Sequence, residues 1–292
     1  MATIAPIRKK ILNLKKEYDK LKKGKDSLLS IIDESEIVEQ VYNSNAIENS
    51  TLTIKETEKI LLEMEVDRNV SLREVFEAKN LARIIEYIRQ KATSDKLNID
   101  MVLLLHKMLI TNIRDEIAGR FRQKDEYVRV GTHIAPAPEH VEDMLEEAFD
   151  EYENDIENFY LDKIARFHLE FENIHPFLDG NGRIGRVIIN YQLFQLGLPP
   201  VIIRFKERKY YYQSFHEYDD KKTAKRMEKI LALSLMESLH KRITYLKGNK
   251  IIPLAEYTKK NKKSASAVLN LARRQTIPAF REKGTWKIGE NF

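Results

Sequence analysis

Apolar residues recur along most of this chain at the spacing of amphipathic helices. Ile164, Phe167, His168 and Phe171, for example, repeat at i, i+3, i+4 and i+7, which places them on one helical face. Glycine and proline, with 10 and 8 copies in 292 residues, are too few to interrupt this pattern often. The pattern predicts helices at residues 8–23, 34–46, 53–64, 71–92, 99–110, 139–154, 158–174, 182–196, 208–218 and 223–247.

Two segments depart from the helical pattern. Residues 126–134 alternate in polarity, are rich in β-branched side chains and stop before Pro136, which predicts a short hairpin. Residues 251–292 predict a helix, a turn, a second helix capped by Ser264, and a hairpin through Gly284–Ile288. The sequence therefore predicts a mainly α fold with one β-hairpin in its body and a small C-terminal module.

Charge sets this C-terminal module apart from the rest. Residues 241–292 contain thirteen Lys or Arg and three Asp or Glu, a net +10 in a chain of net +5, so residues 1–240 are net −5. Cysteine is absent, which excludes a disulfide framework and thiolate metal sites. No apolar run approaches the length of a membrane span and no secretory signal is visible, so we expect a cytoplasmic protein without a membrane partner.

The loop His175–Arg186 joins two predicted helices and carries most of the chemistry. Pro176 disfavours helical backbone at His175, so the first helix ends there. Two glycines open the next helix, where unpaired amides and the helix dipole attract an anion. Two arginines three positions apart on its first turn are both expected to face that anion. The predicted phosphate-binding residues are Gly180, Asn181, Gly182, Arg183 and Arg186.

Two ionisable residues complete this loop. Asp179 precedes the glycines and suits a Mg²⁺ ion that bridges phosphates. His175, with a reference pKa of about 6.5, can accept a proton from a hydroxyl near neutral pH. Taken singly, a turn, solvated arginines and a hydrogen-bonded histidine are common features of any fold. Their combination within twelve residues favours phosphate chemistry.

The same loop resembles the signature of the Fic family, His-x-Phe-x-(Asp/Glu)-Gly-Asn-Gly-Arg-x-x-Arg, at every fixed position. Gly119–Arg122, followed by the predicted hairpin, resembles the family's flap. Tyr211 and Tyr212 resemble the segment near its adenine pocket. The resemblance covers roughly residues 35–240 and implies N-terminal helices at 1–95, a Fic catalytic core at 96–240 and a separate module at 241–292.

The resemblance implies an activity and roles for these residues. AMP would pass from ATP to a Ser, Thr or Tyr hydroxyl of a target protein, and pyrophosphate would leave. His175 would be the base, Asp179 would hold Mg²⁺, and the glycine loop with both arginines would hold the phosphates. The flap, through Val128, Val130 and Thr132, would position the target by strand addition.

A second segment, Ser44–Asn49, resembles the inhibitory helix of Fic proteins, (Ser/Thr)-x-x-x-Glu-(Gly/Asn). Ser44 and Glu48 are four residues apart and share a helical face. The resemblance implies that Glu48 pairs with Arg186 and restrains the enzyme, with Ser44 and Asn49 as the matching inhibitory residues. A short polar helix end is the plainer interpretation of the segment by itself.

The C-terminal module resembles the winged helix-turn-helix of excisionase-like DNA-binding proteins in pattern. Its second helix and the preceding turn would offer DNA contacts, although a protein-binding module of the same fold is an equal alternative. The candidate nucleic-acid contacts are Lys262, Lys263, Ser266, Asn270, Arg273 and Arg274.

The sequence leaves several functions and partners open. The alternative to an AMP transferase is a nucleotide-sensing, DNA-binding transcriptional regulator built on a Fic core. A further alternative is transfer of another phosphate-containing group, as in kinase or phosphocholine-transferase relatives. The target protein, removal of AMP and formation of a homodimer are also left open.

Overall fold

A computed structural model describes residues 5–66 and 70–292, so the first four residues and residues 67–69 of the predicted 1–95 segment lie outside the described residues. No described helix combines the length and apolar character needed to cross a bilayer. The helices are α1 (Ala5–Leu21), α2 (Asp26–Ile47), α3 (Ile54–Glu58), α4 (Leu72–Lys91), α5 (Ile99–Ile110), α6 (Val141–Asn154), α7 (Tyr160–Ile174), α8 (Asn181–Gln195), α9 (Arg208–Lys221), α10 (Lys225–Leu246), α11 (Leu254–Lys260) and α12 (Ala265–Arg273). The strands are β1 (Arg129–Val130), β2 (His133–Ile134), β3 (Ile251–Pro253), β4 (Phe280–Glu282) and β5 (Thr285–Gly289).

The mainly helical fold class is confirmed, and each predicted helix has a counterpart. The largest difference is α2, which begins at Asp26 instead of residue 34, directly after the turn at Gly24. The helix predicted at 53–64 is α3 continued by a π-helical stretch, Lys59–Glu63. The predicted hairpin exists, but only β1 and β2, two residues each, pair in it.

Helices α7 and α8 lie between two apolar cores and contribute to both. Phe171 and Ile184 belong to the first core, together with side chains of α4, α5 and α6. Leu169 and Ile189 belong to the second core, together with side chains of α1, α9 and α10. Because both faces of these helices are buried, the loop that joins them is held at each end by close-packed helices.

The C-terminal segment has a small core of its own. Strands β3, β5 and β4 form an antiparallel sheet in that order, and α11 and α12 pack on it. Ser264 caps α12 as predicted, accepting a hydrogen bond from the backbone N–H of Ala267 at 3.4 Å. Helix α10 crosses the predicted 240/241 boundary, and the first core joins both sides of the 95/96 boundary, so the three-segment division stays a prediction.

Buried ion pairs connect the C-terminal segment to α2. Arg204 donates to Glu39 of α2 at 2.5 Å and to Glu237 of α10 at 3.1 Å. Arg281 of β4 donates to both carboxylate oxygens of the same Glu237, at 2.6 and 3.0 Å. The backbone N–H of Gly284, in the β4–β5 turn, donates to Glu39 at 3.3 Å. Paired and hydrogen-bonded in this way, the buried charges give α2 a defined position against the C-terminal sheet.

Candidate active site

The loop after α7 turns sharply at two residues with left-handed backbone. His175 ends α7 with φ 51° and ψ 62°, and Pro176 follows it. Gly180, just before α8, has φ 86°, a conformation that favours glycine. A Cβ on Gly180 would also lie 2.9 Å from Cδ2 of Leu109, so a larger residue would collide with the first core. These two turns aim the imidazole and the first amides of α8 at the same space.

Side chains behind the loop hold it in this shape. Asn181 accepts from the N–H of Phe177 at 2.9 Å and donates to its carbonyl at 2.8 Å. His106 stacks on the Phe177 ring at 3.7 Å between centroids. Its Nδ1 accepts from the N–H of Gly119 at 3.1 Å, so Nε2–H donates to the carbonyl of Asp179, also at 3.1 Å. Burial lowers the pKa of His106 to about 4, which keeps it neutral. Asn181, predicted to bind phosphate, therefore commits its side chain to shaping the loop.

Arg122 joins the loop to the flap. The side chain is buried, and it donates to the carbonyls of His175 at 2.8 Å, Ile174 at 3.2 Å, Glu126 at 3.1 Å and Pro136 at 2.9 Å. The last two carbonyls flank the β1–β2 hairpin. One guanidinium group thus fixes the end of α7 and both ends of the flap relative to each other.

We expect Arg122→Ala to lower the free energy of unfolding by about 2–4 kcal/mol, because it leaves buried carbonyls without donors. Arg120→Ala is the matched control, since Arg120 is two residues away and pairs with Glu126 near the surface. Arg120→Ala is expected to lower the free energy of unfolding by less than about 1 kcal/mol. Urea unfolding of both variants makes the comparison, and equal losses would contradict the role given to Arg122.

The imidazole of His175 is neutral and keeps one ring nitrogen unprotonated. Nδ1 lies 3.3 Å from the carbonyl of Glu172, an acceptor, which assigns the proton to Nδ1 and the free lone pair to Nε2. Burial lowers the pKa of His175 to about 4. The imidazole is therefore neutral at pH 7 and able to take a proton.

His175 faces a cavity of about 440 Å³, a volume typical of small-molecule sites. The structure brings together in its lining several residues predicted from distant parts of the sequence. Asp179, Gly180, Asn181 and Arg183 lie outside that lining, as do Ser44, Val128 and Thr132. The predicted site residues that line it are Glu48, Asn49, Val130, His175, Gly182, Arg186, Tyr211 and Tyr212.

Glu48 occupies the N-terminal end of α8. Its Oε1 accepts from Arg186 at 2.8 Å, and Ser44 accepts from the same guanidinium through Oγ at 3.0 Å and its carbonyl at 2.9 Å. A Cβ on Gly182 would lie 2.2 Å from this carboxylate oxygen. Burial opposes the charge of Arg186, but Glu48 raises its pKa above the ordinary value. The carboxylate sits where the sequence predicts that an anion binds.

The end of α2 is fixed around Glu48. Tyr212, which lines the cavity, donates to the carbonyl of Ile47 at 2.7 Å. Asn49 follows with φ 68°, a left-handed conformation that asparagine and glycine tolerate best. The left-handed backbone explains why asparagine follows the glutamate at this turn.

The two arginines of the loop do not face the same partner. Arg183 is buried and pairs with Glu77 at 3.0 Å and with Asp179 at 3.1 Å. Asp179 also accepts from Arg73 at 2.5 Å. Burial opposes the charge of Asp179, yet Arg183 and Arg73 hold its pKa below the ordinary range. Within the described ranges no group of three or more His, Cys, Asp or Glu is placed to hold a metal ion.

Glu172 and His168 were not predicted as site residues. Burial raises the pKa of Glu172 to about 8, and its Oε1 has no hydrogen-bond partner among the described residues. His168 is fully buried, and its Nε2 lies 2.8 Å from the hydroxyl of Tyr211. Both side chains pack against Gly185, which has no Cβ. A Cβ there would lie 2.6 Å from Glu172 Oε1 and 2.9 Å from His168 Cε1. A carboxyl group uncharged at pH 7 thus lines the cavity beside the anion position.

The candidate nucleic-acid contacts lie elsewhere. All of them are on the exposed surface of the C-terminal segment, and none lines the 440 Å³ cavity. They are Lys262, Lys263, Ser266, Asn270, Arg273 and Arg274.

The sequence of this chain is similar to those of two protein adenylyltransferases. The protein adenylyltransferase Fic of Nematostella vectensis is 32% identical over 184 residues, which are 61% of this chain and 42% of that protein. The protein adenylyltransferase fic-1 of Caenorhabditis elegans is 33% identical over 182 residues, 60% of this chain and 35% of that protein. The chain thus spans less than half the length of these curated relatives.

A solved structure has a fold similar to that of this chain. A Fic domain containing signaling protein from Bacteroides thetaiotaomicron has a TM-score of 0.74 and 25% identity, over 82% of this chain and 97% of that one. The family profile described as Fic/DOC matches residues 96–193, which include β1, β2, the loop and most of α8. Residues 96–193 of this chain, about a third of its length, therefore match the Fic/DOC family.

Proposed function

We propose that this protein transfers AMP from ATP to a hydroxyl group of a target protein. The observation that carries the proposal is the shared cavity of His175, Gly182 and Arg186, which joins a neutral base to an anion site at a helix N-terminus. The names of the relatives support the same activity. The hydroxyl oxygen would bond to the α-phosphorus as the bond to the β-phosphate oxygen breaks. Its proton would pass to Nε2 of His175, and pyrophosphate would leave.

The phosphates would lie along the start of α8. Amides at Gly180, Asn181 and Gly182 would bind phosphate oxygens, and Arg186 would hold the terminal phosphate once Glu48 withdraws. The aromatic side chains of Tyr211 and Tyr212 suit the adenine ring. In the described conformation Arg183 is held by Glu77 and Asp179, so its part is to orient the loop.

Asp179 is the residue that would hold Mg²⁺. Its carboxylate is the kind of hard oxygen donor that Mg²⁺ selects, and its lowered pKa keeps it ionised. Arg73 and Arg183 each hold one of its oxygens, so the half-exposed Arg73 would have to turn into solvent before the ion binds. The ion would neutralise charge on the phosphates.

The flap would hold the target. Val130, in β1, is exposed and lines the cavity, and Val128 and Thr132 flank the strand on either side. An extended target segment could pair with this short edge and bring a hydroxyl to His175 with little demand on its sequence. The proposed restraint is Glu48. Its carboxylate fills the space above Gly182 where a phosphate would bind, and it pairs with Arg186, which would hold that phosphate.

Labelled ATP tests the activity. We expect label from the α-phosphate, and none from the γ-phosphate, to enter protein when the Glu48→Gly variant is incubated with a lysate. Incorporation of γ-label alone would show that the protein is a kinase and does not transfer AMP. Absence of both labels, with ATP binding intact, would contradict group transfer to protein altogether.

The second candidate function is nucleic-acid binding by the C-terminal segment. Lys262 and Arg274 are exposed and form no ion pair with any residue that the structure describes. Their charges are therefore free to contact phosphates, as in the predicted winged helix-turn-helix.

We expect Lys262→Glu/Arg274→Glu to weaken binding of a DNA duplex by at least about tenfold at low salt, because two phosphate contacts are lost and two repulsions added. Gel-shift titrations at two salt concentrations measure it. Lys55→Glu/Lys229→Glu, an equal charge change on the body, is the control and should leave binding unchanged. Equal weakening by both pairs would indicate net charge instead of a surface on this segment.

A further inference from the structure

A second cavity, of about 370 Å³, lies where the C-terminal segment meets the body. The body contributes residues of α9 and α10, and the C-terminal segment contributes Arg273, Arg281 and Trp286. Ligand sites occur preferentially at such junctions, and the volume suits a small organic molecule. This cavity is separate from the one that His175 faces, although Tyr211 forms part of both walls.

The charges around this cavity favour an anion. Lys206, Lys209 and Arg273 are exposed along it, and none of the three forms an ion pair with another residue in the described ranges. The carboxylates in the lining are already satisfied, because Arg281 pairs with Glu207 at 2.7 Å and with Glu237 at 2.6 Å. Three unpaired cations therefore border a cavity whose negative charges are neutralised.

The rest of the lining favours a flat apolar group. The indole of Trp286, the ring of Tyr210 and the side chains of Ile230 and Leu233 form part of the wall. The guanidinium of Arg281 lies 4.7 Å from the centre of the indole ring, so a cation and an aromatic ring are presented together. An anionic group and a planar ring would each find a partner here.

We propose that this cavity is a second ligand site that binds a small organic phosphate with a flat ring, of which a nucleoside monophosphate is the simplest example. Lysine and arginine would hold the phosphate, and Trp286 with the apolar wall would hold the ring.

The position of this site gives its ligand a way to act on α2. Arg281 holds Glu237, Glu237 also binds Arg204, and Arg204 binds Glu39 of α2. A phosphate that draws Arg281 toward itself weakens this chain of ion pairs, and α2 carries Glu48 at its end. Resting on the proposed function, this step makes the ligand an activator, with AMP incorporation expected to rise about fivefold or more.

Trp286 supplies a readout that does not depend on activity, because it is the only tryptophan in the sequence. Titration with AMP, with tryptophan excited selectively, is expected to change its emission in a saturable way. Adenosine and inorganic phosphate, each lacking half of the ligand, are expected to bind at least about tenfold more weakly. Arg186→Ala, which removes a side chain that lines the first cavity and not the second, should leave the response intact.

Charge reversal distinguishes this site from general attraction. Lys209→Glu/Arg273→Glu is expected to weaken the response at least about tenfold, whereas Lys262→Glu/Arg274→Glu, an equal change of charge, should leave it unchanged. A non-saturable response, equal weakening by both pairs, or loss of the response in Arg186→Ala would overturn the site. A confirmed site whose ligand leaves AMP incorporation by the parent unchanged, while Glu48→Gly is active, would overturn the activating role alone.

Discussion

Glu48→Gly is expected to raise AMP incorporation by about tenfold to a hundredfold, the equivalent of one charge-assisted hydrogen bond released from Arg186. In the parent protein Glu48 Oε1 lies 2.8 Å from this arginine and also fills the space above Gly182. Removal of the carboxylate takes the charged partner from the guanidinium, which keeps its hydrogen bonds to Ser44, and opens the helix N-terminus to phosphate. Incorporation from α-labelled ATP into lysate proteins measures the change.

Two further variants make this test specific. Glu48→Gln keeps the size of the side chain but not its charge, so it should activate less than glycine if space and charge both matter. Glu48→Gly/His175→Ala is the blank, because it opens the site but lacks the base. If parent and Glu48→Gly label equally poorly while both bind ATP, the restraint assigned to Glu48 is wrong.

His175→Ala in the Glu48→Gly background is expected to lower AMP transfer by about 10²- to 10⁴-fold, the usual contribution of a positioned general base. ATP affinity should change little, because the imidazole acts on the attacking hydroxyl and not on the phosphates. Initial rates with α-labelled ATP and separate ATP-binding titrations measure the two quantities. His140→Ala, which removes an exposed histidine from the start of α6, is the control.

The pH dependence follows from the same residue. Burial lowers the pKa of His175 to about 4, so the neutral form dominates at every pH well above that value. The rate should therefore be level through neutral pH and fall as acid protonates the imidazole near pH 4. A rate that halves near pH 6.5, the ordinary pKa of histidine, would show that the ring is exposed in the working enzyme.

Much of this protein was predictable from local pattern. The helices follow the spacing of apolar residues, and their faces are the ones buried in the two cores. The loop at His175 was predictable because proline, glycine and a helix start lie within twelve residues. The pairing of Glu48 with Arg186, 138 residues apart, was expected only from the resemblance to a family, since nothing local joins the two segments.

Other features could be known only from the folded chain. His106, Arg122 and Arg73 reach the loop from 73, 53 and 106 residues away, and each looks like an ordinary helix or loop residue in its own segment. The order of residues also gave no sign of Glu77, which pairs with Arg183 at 3.0 Å, and a shared anion for Arg183 and Arg186 stays a prediction.

Periodicity and turn chemistry are local properties, so the order of residues was enough to predict the helices and the loop and to single out His175 as the candidate base. Which carboxylate each arginine pairs with, which histidine is neutral and which carboxyl is buried depend on packing between distant segments. Desolvation and ion pairing set those states, and both arise only when the helices come together.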